Sequence, residues 1–216
     1  MRSGVLLLAL VTLVAAGCGG SKHAAATTTT VDSHGCSEAT QPPPTDRTES
    51  KPTTKLDPSR TYLVTFDTNC GSFTVKLDTK RAPVTTSSFA SLVQKHFFDH
   101  TLFHRIAVGF VIQGGDPTQS GEGGPGYTTV EKPPAGLKYV HGTVAMAKTP
   151  SQPVGAAGSQ FFIVTARNAG LPAQYALLGH VVKGLGVVDR IGKLGDANQQ
   201  PIEPVVIDKA TLSSST

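Results

Sequence analysis

Two runs, "TYLVTFDT" and "SFTVKLDT", alternate apolar and polar side chains on either side of "NCG". Period-two alternation flanking a short turn predicts a β-hairpin. Pro83 suits the first turn of a helix, and Phe89, Leu92, Val93 and Phe97 then recur at helical spacing,. "TLFHRIAVGFVIQGG" reads as two short strands broken near Gly109. Further apolar runs follow in "GTVAMAK", "SQFFIVTA", "YALLGHVV" and "PVVIDKA", and "GLGVVDRIGKL" reads as a second helix. Strands outnumber helices, and Gly- and Pro-rich turns separate them. The pattern predicts a mainly β domain, a closed or nearly closed barrel with two helices.

The chain before this domain has a different character. From Gly19 to about Pro58 it is rich in Thr, Ser, Pro and Ala, with "TTTT" and "PPP" and no apolar period. Such composition cannot offset the entropy of ordering and predicts a flexible stalk. As a coil it spans on the order of 35 Å. Ahead of it come Met1-Arg2, the apolar "VLLLALVTLVAA" and the small-residue "AAGC". That layout is a secretory signal, its apolar stretch too short for a comfortable membrane span. The cysteine after the small residues resembles a bacterial lipoprotein signal, with Cys18 lipidated as the mature N-terminus, although Ala15 stands where leucine is usual. An ordinary cleaved signal carrying a cysteine leads to export as well. The expected organisation is signal peptide 1–17, lipidated Cys18 and stalk 18–58, domain 59–212 and tail 213–216. The expected location is the outer face of a bacterial cytoplasmic membrane.

Export changes the reading of the other cysteines. With Cys18 lipidated, Cys36 and Cys70 form an even count and can pair in an oxidising compartment, pinning the tether to the domain; two free thiols are the alternative,. The 216 residues suffice for one domain plus extensions,. Apolar residues are 38 % of the chain, and much of the deficit lies in the first sixty positions. The net charge of +4 is scattered rather than clustered, so no nucleic-acid footprint is read,.

Three motifs invite chemistry and fail on context. "GEGGPG" satisfies G-x-G-x-x-G, but Pro125 sits inside it and no helix opens after it,. His96, His100 and His104 recur every fourth residue, the spacing of a zinc site on a helix, yet the helical pattern decays near Phe98-Asp99,. Gly158-Ser159 lacks the G-x-S-x-G context of a nucleophile elbow,. No metal and no cofactor is expected.

"FHRIAVGFVIQGGDP", "GTVAMAK" and "GSQFFIVTA", in that order, resemble the cyclophilin family of peptidyl-prolyl isomerases. "TNCGSFTVKLDTKRAPVTTSSF" and "LLGHVVKGLGVVDRI" extend the resemblance from about Thr61 to Asp208. It implies a closed eight-stranded antiparallel β-barrel capped by two α-helices, and catalysed rotation about X-Pro bonds in unfolded or flexible polypeptides. Rotation must overcome an amide barrier of ~18–20 kcal/mol, and X-Pro exchange is slow. No bond breaks, so neither nucleophile nor acid–base pair is needed. A donor aimed at the prolyl nitrogen helps, because that lone pair becomes available only as the bond twists. Arg105 is permanently charged and carries a fork of donors, and it would favour the twisted state over either ground state.

The resemblance assigns the remaining roles. Phe110, Val111 and Phe162 form an apolar floor for the prolyl ring, with Leu171 as its wall. Gln113 holds the substrate backbone and orients Arg105, while Gln160 contacts substrate or supports the site. Ala147 leaves room for the peptide, the Lys148 backbone can pair with it, and His104 braces from behind. Phe161 and Phe162 point to opposite faces of a strand, Phe161 to the core and Phe162 to the pocket. Tyr175 stands where histidine is common, and Gly170 where the family has the tryptophan used for cyclosporin, which implies weak cyclosporin binding. A monomer is the default. A tethered proline-peptide-binding chaperone with little catalysis is the alternative reading, and a metal-binding lipoprotein a third.

Overall fold

The computed structural model describes residues 31–216. The stretch expected to be a signal peptide, Cys18 expected to carry a lipid, and the first part of the expected stalk lie outside the described residues. In chain order the elements are β1 (Thr61–Thr68), β2 (Gly71–Leu77), α1 (Pro83–Gln94), β3 (Thr101–Leu102), β4 (Arg105–Ala107), β5 (Val111–Gly114) and β6 (Thr129–Val130). They continue with β7 (Thr143–Met146), β8 (Ala156–Ala157), β9 (Phe161–Val164), β10 (Leu177–Lys183), α2 (Leu185–Ile191) and β11 (Val206–Ser215).

The first hairpin forms as its alternation predicts, with Tyr62, Val64 and Phe66 of β1 and Phe73, Val75 and Leu77 of β2 buried. Gly71, at φ 109°, makes its turn possible,. Helix α1 begins at Pro83, and the Glu131 carboxylate accepts hydrogen bonds from the free Val84 and Thr85 amides of its first turn,. It ends at Gln94, because His96 turns to positive φ. Phe97, placed on the helix by its spacing, is buried in the turn beyond it.

One antiparallel nine-stranded sheet runs in the order β3-β11-β1-β2-β10-β7-β9-β5-β4, with β6 and β8 paired separately. The fold is mainly β with two helices, but the expected closed eight-stranded barrel is corrected: the sheet is a strongly curled, open half-barrel. Its edges cannot zip together. β3 and β4 hold two and three residues, and the chain between and after them bonds to loops, through Phe103 N to Val205 O and Ile106 N to Gln199 O. A single Leu102–Asp116 bridge spans the gap.

Inside the curl Phe161 packs against Phe66, Phe89, Phe98 and Phe103 with ring centroids 5.3–5.9 Å apart. A second, smaller apolar cluster lies on the other face of β5, β7 and β9, built on Val111, Tyr139, Ala145, Phe162 and Val164.

Two features outside the expected domain differ from composition-based reading. Residues 31–58, a turn closed by a Val31–Ser37 bridge followed by chain without regular structure, lie on the domain rather than as a free stalk, because individual groups along them find partners there. Cys36 is disulfide-bonded to Cys70, Ser37 N donates to Asn69 O, and Leu56 N donates to Ser87 Oγ. The expected tail joins β11, whose Ser213, Ser214 and Ser215 pair with Leu63, Tyr62 and Thr61.

Candidate active site

Strand alternation assembles the site. In β4, β5, β9 and β7 the residues Ile106, Ile112, Phe161, Ile163, Val144 and Met146 face the core. Their neighbours therefore face outward. Cross-strand register sets four of these in a row: Arg105 opposite Gln113, Gln113 opposite Phe162, and Phe162 opposite Ala145. A shift of one residue in any strand would send its member into the core. The three-residue connection Val108-Gly109-Phe110, with Gly109 at φ 70°, brings Phe110 to the end of this face,.

An open groove of about 890 Å³ runs along the row. Its apolar end holds Phe110, Val111, Ala147, Phe162, Leu171 and Tyr175. Its other end is walled by the loop Gly121–Thr128, with Arg105, Gln113 and Gln160 on the same floor and Lys148 on the rim. Ten of the expected site residues thus meet in one groove. His104 does not line it.

The polar groups form a directed chain. Gln160 Nε2 donates to both Gly121 O and Gly123 O at 2.9 Å. Two carbonyl partners require the NH₂ on that side, so Oε1 is left to accept from Gln113 Nε2 at 3.0 Å,. Gln113 Oε1 in turn accepts from Arg105 Nη1 at 3.1 Å, while Arg105 Nε donates to Gln199 Oε1 at 2.8 Å. The guanidinium is gripped on two nitrogens, and its Nη2 has no protein partner among the described residues. A cation so held presents a donor to the groove without having to reorganise.

The loop that starts this chain is anchored by Asp116, which is fully buried. Burial opposes its charge, but hydrogen bonds from Thr118 Oγ1 and N, Gly123 N and Gly121 N outweigh that and hold its carboxyl below the usual range. A Cβ at Gly123 would run into Asp116 Oδ1, so the loop needs glycine there. At the apolar end, Tyr139, Phe162 and Tyr175 pack ring on ring with centroids 5.4–6.1 Å apart. Tyr139 Oη donates to Tyr175 O at 2.6 Å and accepts from Tyr175 N at 3.0 Å. Burial pushes its phenol up to about 12, so the donor persists at any ordinary pH. Lys148 Nζ lies 5.8 Å over the Tyr175 ring.

His104 is largely enclosed, and neither ring nitrogen has a partner among the described residues. It can brace the site by packing, not by hydrogen bonding. Burial, reinforced by the Arg105 charge and opposed by Asp116, lowers its pKa. A base with a lowered folded pKa leaves the unfolded chain binding more protons, so stability falls as pH drops through the free-histidine value of 6.5 and is retained above it,. His180, lowered chiefly by burial, acts in the same direction. Urea midpoints are expected to hold above neutrality and decline in mild acid, with a shallower decline in His104→Gln. An unchanged slope in that variant would remove His104 from the account.

Gln199, Tyr139 and Asp116 are site-supporting residues that the sequence reading did not single out. "DPTQSG" carries the signature of an Asp-led turn, which could have flagged Asp116,. Nothing local marks Gln199, which reaches Arg105 from a distant loop. The histidines at 96, 100 and 104 do not converge: His96 Nδ1 pairs with Asp99 at 2.9 Å, and both His96 and His100 have positive φ.

A family model described as cyclophilin type peptidyl-prolyl cis-trans isomerase/CLD matches residues 63–212. A peptidyl-prolyl cis-trans isomerase-like 1 of Neurospora crassa is 39 % identical over 154 residues, 69 % of this chain and 93 % of that protein. Peptidyl-prolyl cis-trans isomerase A of Mycobacterium tuberculosis is 34 % identical over 174 residues, 72 % of this chain and 94 % of its own length. Among solved structures, a cyclophilin type peptidyl-prolyl cis-trans isomerase of Cryptosporidium parvum, crystallised in the presence of the dipeptide Ala-Pro, superposes with a TM-score of 0.65 at 29 % identity. That match covers 71 % of this chain and 99 % of the other.

Proposed function

This chain belongs to the cyclophilin-type peptidyl-prolyl cis-trans isomerase family, and from that premise we propose that Arg105 accelerates X-Pro rotation by donating to the prolyl nitrogen as it leaves planarity. The family membership makes the protein an isomerase; the mechanism rests on its own residues. The single observation that carries it is the shared row on one sheet face, where Arg105 and Gln113 stand beside Phe162 in an open groove. The prolyl ring is gripped at Phe110, Phe162 and Leu171. Gln113 then holds both the substrate backbone and the guanidinium. The twisted nitrogen accepts a hydrogen bond that neither planar isomer can accept, so the interaction favours the transition state. Proline-containing polypeptides are the substrates, a reading supported by the Ala-Pro dipeptide with which the structural relative was crystallised. The test is an exchange-spectroscopy assay on an Ala-Pro peptide, wild type against Arg105→Ala. Equal rates would favour a groove that only binds.

The same proposal places the protein outside the cytoplasm, exported by its N-terminal signal and held by a lipid on Cys18, where it acts on folding exported chains. The Cys36–Cys70 bond supports export, since such bonds persist in oxidising compartments,. Mass spectrometry of the mature N-terminus tests the lipid.

Cyclosporin is expected to bind weakly. Gly170 is at φ 65°, with open space where a side chain would stand, and a missing large aromatic anchor costs upward of about 2 kcal/mol. Inhibition of the wild type at nanomolar cyclosporin would contradict this.

A further inference from the structure

Residues 41–51 lie outside the stretch matched by the family model, yet they lie against the back of the groove's glycine wall. Thr45 N donates to Pro117 O and Glu49 N to Pro125 O, each at 2.9 Å. Gln119 Nε2 donates to Pro42 O, and its Oε1 accepts from Gln41 Nε2, both at 2.7 Å. The Thr48 side chain fills the space behind Gly126. Pro125 and Gly126 line the groove, whereas Gln119 does not. The arm is itself fastened. Arg47 Nη1 donates to Phe97 O and His96 O in the turn after α1, and Glu49 pairs with Lys95 at 2.7 Å.

The wall is therefore held from two sides by different means. Asp116 fixes Gly121 and Gly123 from within, and these orient Gln160 and, through it, Arg105. The arm fixes the outer part, Pro125 and Gly126, from behind. Loosening the outer half of the arm, residues 47–49, would move Pro125 and Gly126 while the Asp116 bonds keep the chain of donors to Arg105 in place.

We propose that the 41–51 arm is a specificity element of the substrate groove: it sets the outer wall and so determines how tightly residues flanking the proline are bound. This rests on the isomerase reading of the groove. The arm residues are positioning residues, since they reach substrate only through the wall.

The test uses the full chain carrying Arg47→Ala and Glu49→Ala, arm side chains absent from the groove whose bonds to the turn after α1 fasten the arm. Two substrates are compared, a blocked Ala-Pro dipeptide and a peptide extended by several residues on both sides of the proline. The expected result is a KM for the long peptide raised about fivefold, the worth of one ordinary hydrogen bond. Its kcat and the short peptide's constants should stay at wild-type values. An unchanged KM for the long peptide, or an equal shift for both peptides, overturns the proposal. Thr48→Gly, which empties the space behind Gly126 and removes no hydrogen bond, is the second variant and should move the same KM in the same direction. Should the wild type isomerise neither peptide, it is the reading of the groove that fails. An active wild type with an indifferent double variant defeats the arm alone.

Discussion

Arg105→Ala is expected to lower kcat/KM on an Ala-Pro peptide by about 10²–10³, the usual loss for one preorganised donor to developing charge or lone pair. The loss should fall on kcat. In the proposed mechanism the ground-state grip lies with Phe110, Phe162 and Leu171, which the substitution leaves in place, so KM should change little. Arg105 is part-exposed, and its removal frees Gln113 and Gln199 at a solvent-accessible surface. The fold should therefore tolerate it. Arg105→Lys separates charge from geometry: it retains the cation but lacks the planar fork that bonds Gln113 and Gln199 at once. Near-complete rescue by lysine would mean that charge alone suffices and the directed chain is dispensable. A kcat unaffected in Arg105→Ala would refute the mechanism.

The second large effect separates two adjacent phenylalanines. Phe161→Ala is expected to destabilise the protein by ~3–5 kcal/mol, as for large core truncations, because its ring touches four others inside the curl. Phe162→Ala opens onto a groove instead of creating a closed cavity. It should cost less stability and raise KM by about tenfold or more, the range for a buried aromatic anchor at a binding surface. Urea titration paired with steady-state kinetics distinguishes them. The reverse pattern, stability lost at Phe162 and affinity lost at Phe161, would mean that the face assignment is inverted.

That assignment is legible in sequence because β-strand alternation has period two, and "QFFIV" sits in a run of known strand character. Period alone says that the two rings part; the resemblance says which one meets substrate. The first hairpin is readable from the same alternation and the helices from helical spacing, whereas the groove residues on β4, β5, β7 and β9 are named by the resemblance. Failures occur where a long-range partner overrides a local tendency. Phe97 has helical spacing, but His96 breaks the helix one residue before it. Gln199 belongs to a polar loop with no period and becomes a site-supporting residue because Ile106 N bonds its carbonyl and Arg105 Nε its side chain. Barrel closure depends on how two very short edge strands meet, which no pattern in either strand encodes. The segment 31–58 has the composition of a free coil; what orders it is the Cys36–Cys70 bond and a set of individual polar contacts, and composition does not report contacts.

The position of the Cys36–Cys70 bond bears on mechanics. It joins the incoming chain to the β1–β2 turn before the 41–51 segment begins. Tension applied at the N-terminal end would thus pass through sulfur directly into the first hairpin, bypassing the strap behind the glycine wall. Chemical reduction would reroute that load along the strap itself, so a tethered copy should be sensitive to drag only in its dithiol form.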